Sequence, residues 1–161
     1  MNPNIGLLKL QPSAIALAYG QILDQDTAAP SYDLFQAKDD AFREQVGLKS
    51  KQAQEALLPG TAKLTYTNSN GTGQVVALIT INSGALVAVD LNETETVKPD
   101  EAGAAVSVTG ATEAYLGKGS STVGIAATYG DQLLFYVPPS GSKGKIVLLG
   151  YAQGLINAKE L

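Results

Sequence analysis

Residues 121–157 read STVGIAATYGDQLLFYVPPSGSKGKIVLLGYAQGLIN. Residues 132–137 and 145–149 are two short apolar runs with alternating or β-branched texture, which predicts strands. Between them lies PPSGSKG, a turn built from proline and glycine. A small-residue phrase flanks each strand, VGIAA before the first and GYAQG after the second. Small glycines and alanines let strands bend and approach closely, as the corners of small β-barrels require.

Working backward from this stretch, the same texture begins at Thr61. Residues 63–67 (KLTYT) predict a strand, 68–73 (NSNGTG) a turn with an Asn-Gly pair, and 74–81 (QVVALITI) a buried strand. Residues 85–90 (ALVAVD) predict another strand after a short Asn-Ser-Gly turn. Residues 104–109 (AAVSVT) and 111–116 (ATEAYL) read as further strands, with GKGSS a turn after them. Residues 91–102 (LNETETVKPDEA) interrupt the series. Glu93, Glu95, Asp100 and Glu101 stand there against Lys98, which reads as an exposed acidic loop. Calcium is the alternative for such a stretch, but the D-x-[DN]-x-[DN]-G pattern is missing.

Ahead of the strands, residues 31–58 are helical in pattern. Leu34, Phe35, Ala41, Phe42 and Val46 recur at helical spacing and define one apolar face. Ser31 is placed to cap a helix, Gly47 to end it in a left-handed turn, and Ser50 to cap a second helix through Leu57. Residues 1–30 form an arm in which Pro12, Gly20 and Pro30 break any long helix. Ile5, Leu7, Leu8 and Leu10 can run as an extended strand. They either pack on their own domain or add a strand to a neighbour. The fold class expected is therefore α+β and mainly β. It comprises an arm (1–30), a helical segment (31–60) and a small β-barrel or β-sandwich domain (61–161, its barrel core about 61–157).

The 161 residues hold no cysteine and no histidine. That excludes disulfides, thiolate chemistry and the Ser-His-Asp and Cys-His arrangements within one chain. The net charge is -4, with one arginine, Arg43, and no tryptophan. No basic stripe exists for nucleic acid. No apolar run approaches the ~20 residues of a membrane span, and Lys9 and Pro12 interrupt the N-terminal apolar stretch where a signal peptide needs continuity. GKGSS lacks the upstream glycine of a phosphate loop. Paired carboxylates remain for hydrolysis, but nothing in the sequence places two of them in one cleft. Neither an enzyme nor a cofactor or metal site is expected. Tyr129, Tyr136 and Tyr151, in the last β-region, are candidate subunit-contact residues.

The series GAAVSVTG, VGIAA, GDQLLFYV, turn, KIVLLGYAQG resembles the small β-barrel of tailed-phage capsid decoration, or cement, proteins of the lambda-like head type. The resemblance covers roughly residues 61–157. It implies a non-enzymatic homotrimer at three-fold positions, bound across neighbouring major capsid proteins on the virion surface and made in the host cytoplasm. It also implies strand addition by an N-terminal arm, for which Ile5, Leu7, Leu8 and Leu10 are the capsid-contact candidates. The helical segment 31–58 departs from a minimal member. The alternatives are a head-fibre base or surface adhesin module and a small Asp/Glu hydrolase.

Overall fold

A computed structural model of the chain describes residues 7–161. The arm contains a helix, α1 (Ile15–Gln25), which the sequence reading excluded. Ile15, Ala18, Tyr19, Ile22 and Leu23 fall on one face of it and are all buried. Pro12 opens the preceding 3₁₀ turn, Pro12–Ala14, as its first residue, where a missing N–H costs nothing. Gly20 lies inside α1 for a packing reason. A Cβ there would stand 3.0 Å from the Asn68 Cβ, so glycine lets the helix lie directly on a strand.

The segment expected as one helix from Ser31 is divided. Tyr32–Leu34 is a single 3₁₀ turn, and Phe35 then runs extended. Its neighbours hydrogen-bond to residue 146: Gln36 N donates to Ile146 O (2.8 Å), and Ile146 N donates to Leu34 O (2.8 Å). The helix α2 (Ala41–Val46) starts later, capped by Asp40, whose carboxylate accepts from Arg43 N at 3.0 Å. Gly47 is extended (φ -77°, ψ 179°) rather than left-handed, because α3 (Leu48–Leu57) begins immediately after it. Ser50 therefore lies within α3 and caps nothing.

The strands are β1 (Ala62–Asn70), β2 (Val76–Ile79), β3 (Ala85–Pro99), β4 (Val106–Ser107), β5 (Ser120–Ser121), β6 (Ile125–Val137) and β7 (Val147–Glu160). All main pairings are antiparallel, in the order β1-β3-β6-β7, with β2 continuing the edge beside the first half of β3. The expected class, α+β and mainly β, is the one observed. Of the barrel and sandwich forms, the arrangement is layered: the main sheet has β1/β2 and β7 as its edges, and the helices pack against one face.

Three readings are corrected here. Residues 111–116 are not a strand but the core of helix α4 (Gly110–Leu116), ended by Gly117 at φ +74°. Its Ala, Glu and Leu are strong helix formers, and the run is too short for alternation to decide. Of residues 104–109, only Val106 and Ser107 pair, with β5. The acidic stretch is no loop either. β3 runs unbroken to Pro99, because in LNETETV the acids recur every second residue and share one face.

That face is the core. Val87, Val89 and Leu91 of β3 and Leu133, Phe135 and Val137 of β6 pack against Ile15, Tyr19, Ile22, Leu23, Phe35 and Phe42. Tyr19 is the centre of the aromatic set, with Phe135 at 5.1 Å and Phe35 at 5.6 Å between ring centroids. Among the described residues, no helix is long and apolar enough to cross a membrane.

Candidate functional site

The two faces of the sheet differ in what covers them. On the helix-covered face, the apolar core ends at Leu91 and a polar band begins. Register places Asn68 and Tyr66 of β1 opposite Glu93 and Glu95 of β3. Tyr129 and Asp131 of β6 stand opposite Glu93 and Leu91, and Gln153 of β7 opposite Asp131. From α3, Lys51 reaches into this band. Its ammonium pairs with Asp24 Oδ1 at 2.5 Å and with Glu93 Oε2, and lies 4.7 Å from the centroid of the Tyr66 ring. Asn68 Nδ2 donates to Asp24 Oδ2 at 2.7 Å, and Tyr66 OH donates to Gln54 Oε1 at 2.6 Å. A cleft of about 200 Å³ opens here, lined by Lys51, Tyr66, Glu93, Glu95, Tyr129 and Gln153 among others.

Carboxylates outnumber the single ammonium, and burial sets their behaviour. Glu93 is raised above the ordinary carboxylate range by desolvation, which Lys51 only partly opposes. Glu95 is raised by burial and by the charge of Glu93. Asp131 is pushed up to about 6, chiefly by burial, against the hydrogen bond that Gln153 Nε2 donates at 2.9 Å. Its Oδ2 is buried and has no hydrogen-bond partner among the described residues. Lys51 is held between two carboxylates, and Glu93 is engaged by it. The band is therefore a clamp between helix and sheet more than a set of free acids and bases. Among the described residues, no group of three carboxylates is placed to hold a metal ion.

Among the described residues no helix covers the opposite face of the sheet, and only the turn at Gly71–Gly73 lies against it, at Asp90. Val76 and Leu78 of β2, Leu86 and Ala88 of β3 and Leu134 and Tyr136 of β6 alternate with the core residues and therefore point to it. Leu78 is 63 % exposed and Leu134 40 %. β7 adds two bulges. Leu149 lies between the partners of Leu134 and Phe135, Ile156 between those of Thr128 and Tyr129, and neither has a residue opposite it. Both are about half exposed, at 52 % and 50 %. Between them Gly150, Ala152 and Gly154 leave shallow hollows of about 400 and 460 Å³ along the same surface. A Cβ at Gly150 or Gly154 would meet nothing within 4 Å, so packing within the chain does not demand glycine at either place.

The residues singled out from the sequence are dispersed. Ile5 lies outside the described residues. Leu7 is exposed, but Leu8 is buried and Leu10 packs on the core. The strand-like contact of this segment is with its own chain, Lys9 N donating to Pro138 O at 2.9 Å and Ser140 N to Leu7 O at 2.7 Å. Tyr151 turns to the helix side, with its ring 4.7 Å from that of Phe42 and its hydroxyl donating to Gln45 Oε1 at 3.0 Å. Tyr129 lines the polar cleft. Of the three tyrosines, Tyr136 alone is on the uncovered face. Sequence reasoning missed Lys51, Glu93 and Leu78 as site residues; the signal for Glu93 was its alternation with Thr94 and Glu95.

A family described as a domain of unknown function (DUF8094) matches residues 6–160. No curated protein and no solved structure matches the chain.

Proposed function

The chain belongs to the DUF8094 family, and within it we propose that this protein is a non-enzymatic structural component that works by assembling with copies of itself. The observation that carries this reading is the uncovered sheet face. Exposed Leu78 and Leu134, with Val76, Leu86, Ala88 and Tyr136 beside them, make the β2 end of this face apolar, and contiguous apolar surface of that kind marks an interaction site. A second copy is the occupant this face favours. The chain has a net charge of -4, yet Val76, Leu78, Leu86, Ala88, Leu134 and Tyr136 at this end of the face carry no charge, so copies that repel elsewhere do not repel there. Gly150 and Gly154 let a neighbouring backbone approach closely.

The resemblance of residues 61–157 to capsid decoration proteins supplies the setting. In that setting three copies converge on a three-fold axis, bury these faces against one another, and bind the major capsid proteins of a phage shell. Repetition over a shell turns weak contacts into avidity. The test is sedimentation equilibrium of the full chain and of Leu78→Lys and Leu134→Lys, followed by co-sedimentation with capsids. Oligomeric wild type and monomeric variants support the reading. A wild type that stays monomeric at high concentration and binds no shell overturns it.

A second reading, a small acid-based hydrolase, is favoured by the cleft that Glu93 and Glu95 share. Two carboxylates flanking one bond are what glycoside hydrolysis uses. Against it, Glu93 is tied to Lys51. Turnover of a polysaccharide panel that is lost in Glu95→Gln would favour this reading over assembly.

A further inference from the structure

β7 is an edge of the main sheet over its whole length, since β6 is its only strand partner among the described residues. The other edge is divided between two shorter strands, β1 and β2, with residues 71–75 between them. Near its two ends the β7 edge is guarded. Residues 34–36 run beside Ile146, and Lys118, just after α4, pairs with Glu160 at 2.6 Å. Between those ends, among the described residues, no backbone hydrogen bond joins β7 to anything but β6. A free edge offers a row of unpaired N–H and C=O groups to another strand, and proteins usually blunt such an edge with charge or proline. Residues 147–157 (VLLGYAQGLIN) contain neither.

The sequence along this edge selects its partner. Residues 148–156 read LLGYAQGLI, which has nearly the same character from either end. About Ala152, Gly150 mirrors Gly154, Leu149 mirrors Leu155 and Leu148 mirrors Ile156. Tyr151 mirrors Gln153, and both are on the helix side, whereas Gly150, Ala152 and Gly154 are on the uncovered face. In an antiparallel pair related by a two-fold axis, each residue stands opposite its mirror image. A second β7 centred on Ala152 therefore sets glycine against glycine, brings leucine level with leucine, and places no charge opposite another. The bulges at Leu149 and Ile156 bound the regular part of the strand, so the pairing is short and weak by itself. We propose that β7 pairs antiparallel with β7 of a second copy across a two-fold axis at Ala152, joining two sheets into one. This contact uses the strand edge and goes beyond the face-to-face assembly proposed above.

The chain has no cysteine, so an introduced thiol reads this register directly. Residues opposite one another in antiparallel strands have Cα atoms about 4.5–5.5 Å apart, within disulfide reach. Residues four positions out of register stand about 13 Å apart, well beyond it. Ala152→Cys in the full chain is therefore expected to cross-link to itself under mild oxidation at least about tenfold faster than Gly150→Cys does. An equimolar mixture of Gly150→Cys and Gly154→Cys is expected to approach the Ala152→Cys rate. These substitutions spare the fold, because Ala152 is exposed and a Cβ at either glycine meets nothing within 4 Å. With Leu78→Lys added to each variant the same selectivity is expected, which separates the edge from the uncovered face. Equal rates for Ala152→Cys and Gly150→Cys, or no acceleration in the mixture over Gly150→Cys alone, overturns the proposal. Selectivity that vanishes with Leu78→Lys also overturns it, assigning the contact to the face.

Discussion

Lys51 of α3 and Glu93 of β3 form a buried ion pair across the seam between the helical layer and the sheet. Each side chain is only 7 % exposed. Burial raises the Glu93 carboxyl despite its partner, so desolvation outweighs the attraction there, as continuum reasoning expects for such pairs. Removing one partner strands the other. Lys51→Met is expected to destabilise the fold by about 3 kcal/mol or more in urea denaturation. The double variant Lys51→Met/Glu93→Leu is expected to recover most of that loss. A double variant as unstable as the single one would show that the pair itself, not the stranded charge, holds the seam.

Asp131 sets a pH dependence whose sign is opposite to that of an ordinary paired carboxylate. Its folded value is about 6, against 3.8 for the unperturbed group. Between those values the folded chain keeps a proton that the unfolded chain releases. Stability from this group is therefore complete below about pH 4 and is lost as pH rises through 6. The loss at neutral pH is on the order of 3 kcal/mol. Asp131→Asn keeps the oxygen that Gln153 needs and is expected to raise the urea midpoint at pH 7 while leaving it unchanged near pH 4. Glu93 and Glu95 are also raised, so a smaller slope of the same sign remains in the variant. Equal midpoints for wild type and variant at pH 7 would place the Asp131 carboxylate in a solvated environment.

Phe42 is fully buried, with the Tyr19 ring on one side at 6.4 Å and the Tyr151 ring on another at 4.7 Å. It is the residue through which α2 grips both α1 and the last strand. Phe42→Ala is expected to cost about 3–5 kcal/mol. Phe42→Leu, which refills part of the volume, is expected to cost distinctly less. Thermal or urea denaturation of both variants checks the ordering.

What the sequence discloses follows the period of its apolar residues. β6 and β7 were legible as strands in GDQLLFYV and KIVLLGYA because Leu133, Phe135 and Val137 alternate with exposed positions. Their full lengths were not, since Ala126, Ala127 and the glycines of β7 carry no strong signal. α1 was hidden by Gly20, whose role depends on how closely Asn68 approaches across 48 residues. Glu93 and Glu95 resembled a loop because their charge masked their alternation. Only the arrival of Lys51 from α3 explains how the interior tolerates one of them. Arg43 was legible as a lone arginine, but its pairing with Asp40 and its place over the Tyr32 ring appear only in the folded chain. The uncovered face was equally out of reach, since alternation shows that a strand has two faces but not which one the helices take.

Gly154 separates assembly from folding. It lies on the uncovered face of β7, opposite Gly130, and a Cβ there meets nothing within 4 Å. Gly154 is absent from the positive-φ positions of the chain, so a larger residue brings no backbone strain. Replacing glycine in a strand also removes unfolded-state entropy, which favours the folded chain by about 0.4–1 kcal/mol. Gly154→Arg is therefore expected to match or slightly exceed the wild type in urea denaturation of the monomer. Its guanidinium would stand beside Ile156 in the hollow that Gly154 and Ile156 line, where a second copy is proposed to pack. A desolvated, unpaired charge in an interface costs several kcal/mol, so association is expected to fall by at least about a hundredfold. Sedimentation velocity across a concentration series reads this directly. Wild-type association in Gly154→Arg would remove the uncovered face from the assembly surface, whatever the oligomer turned out to be.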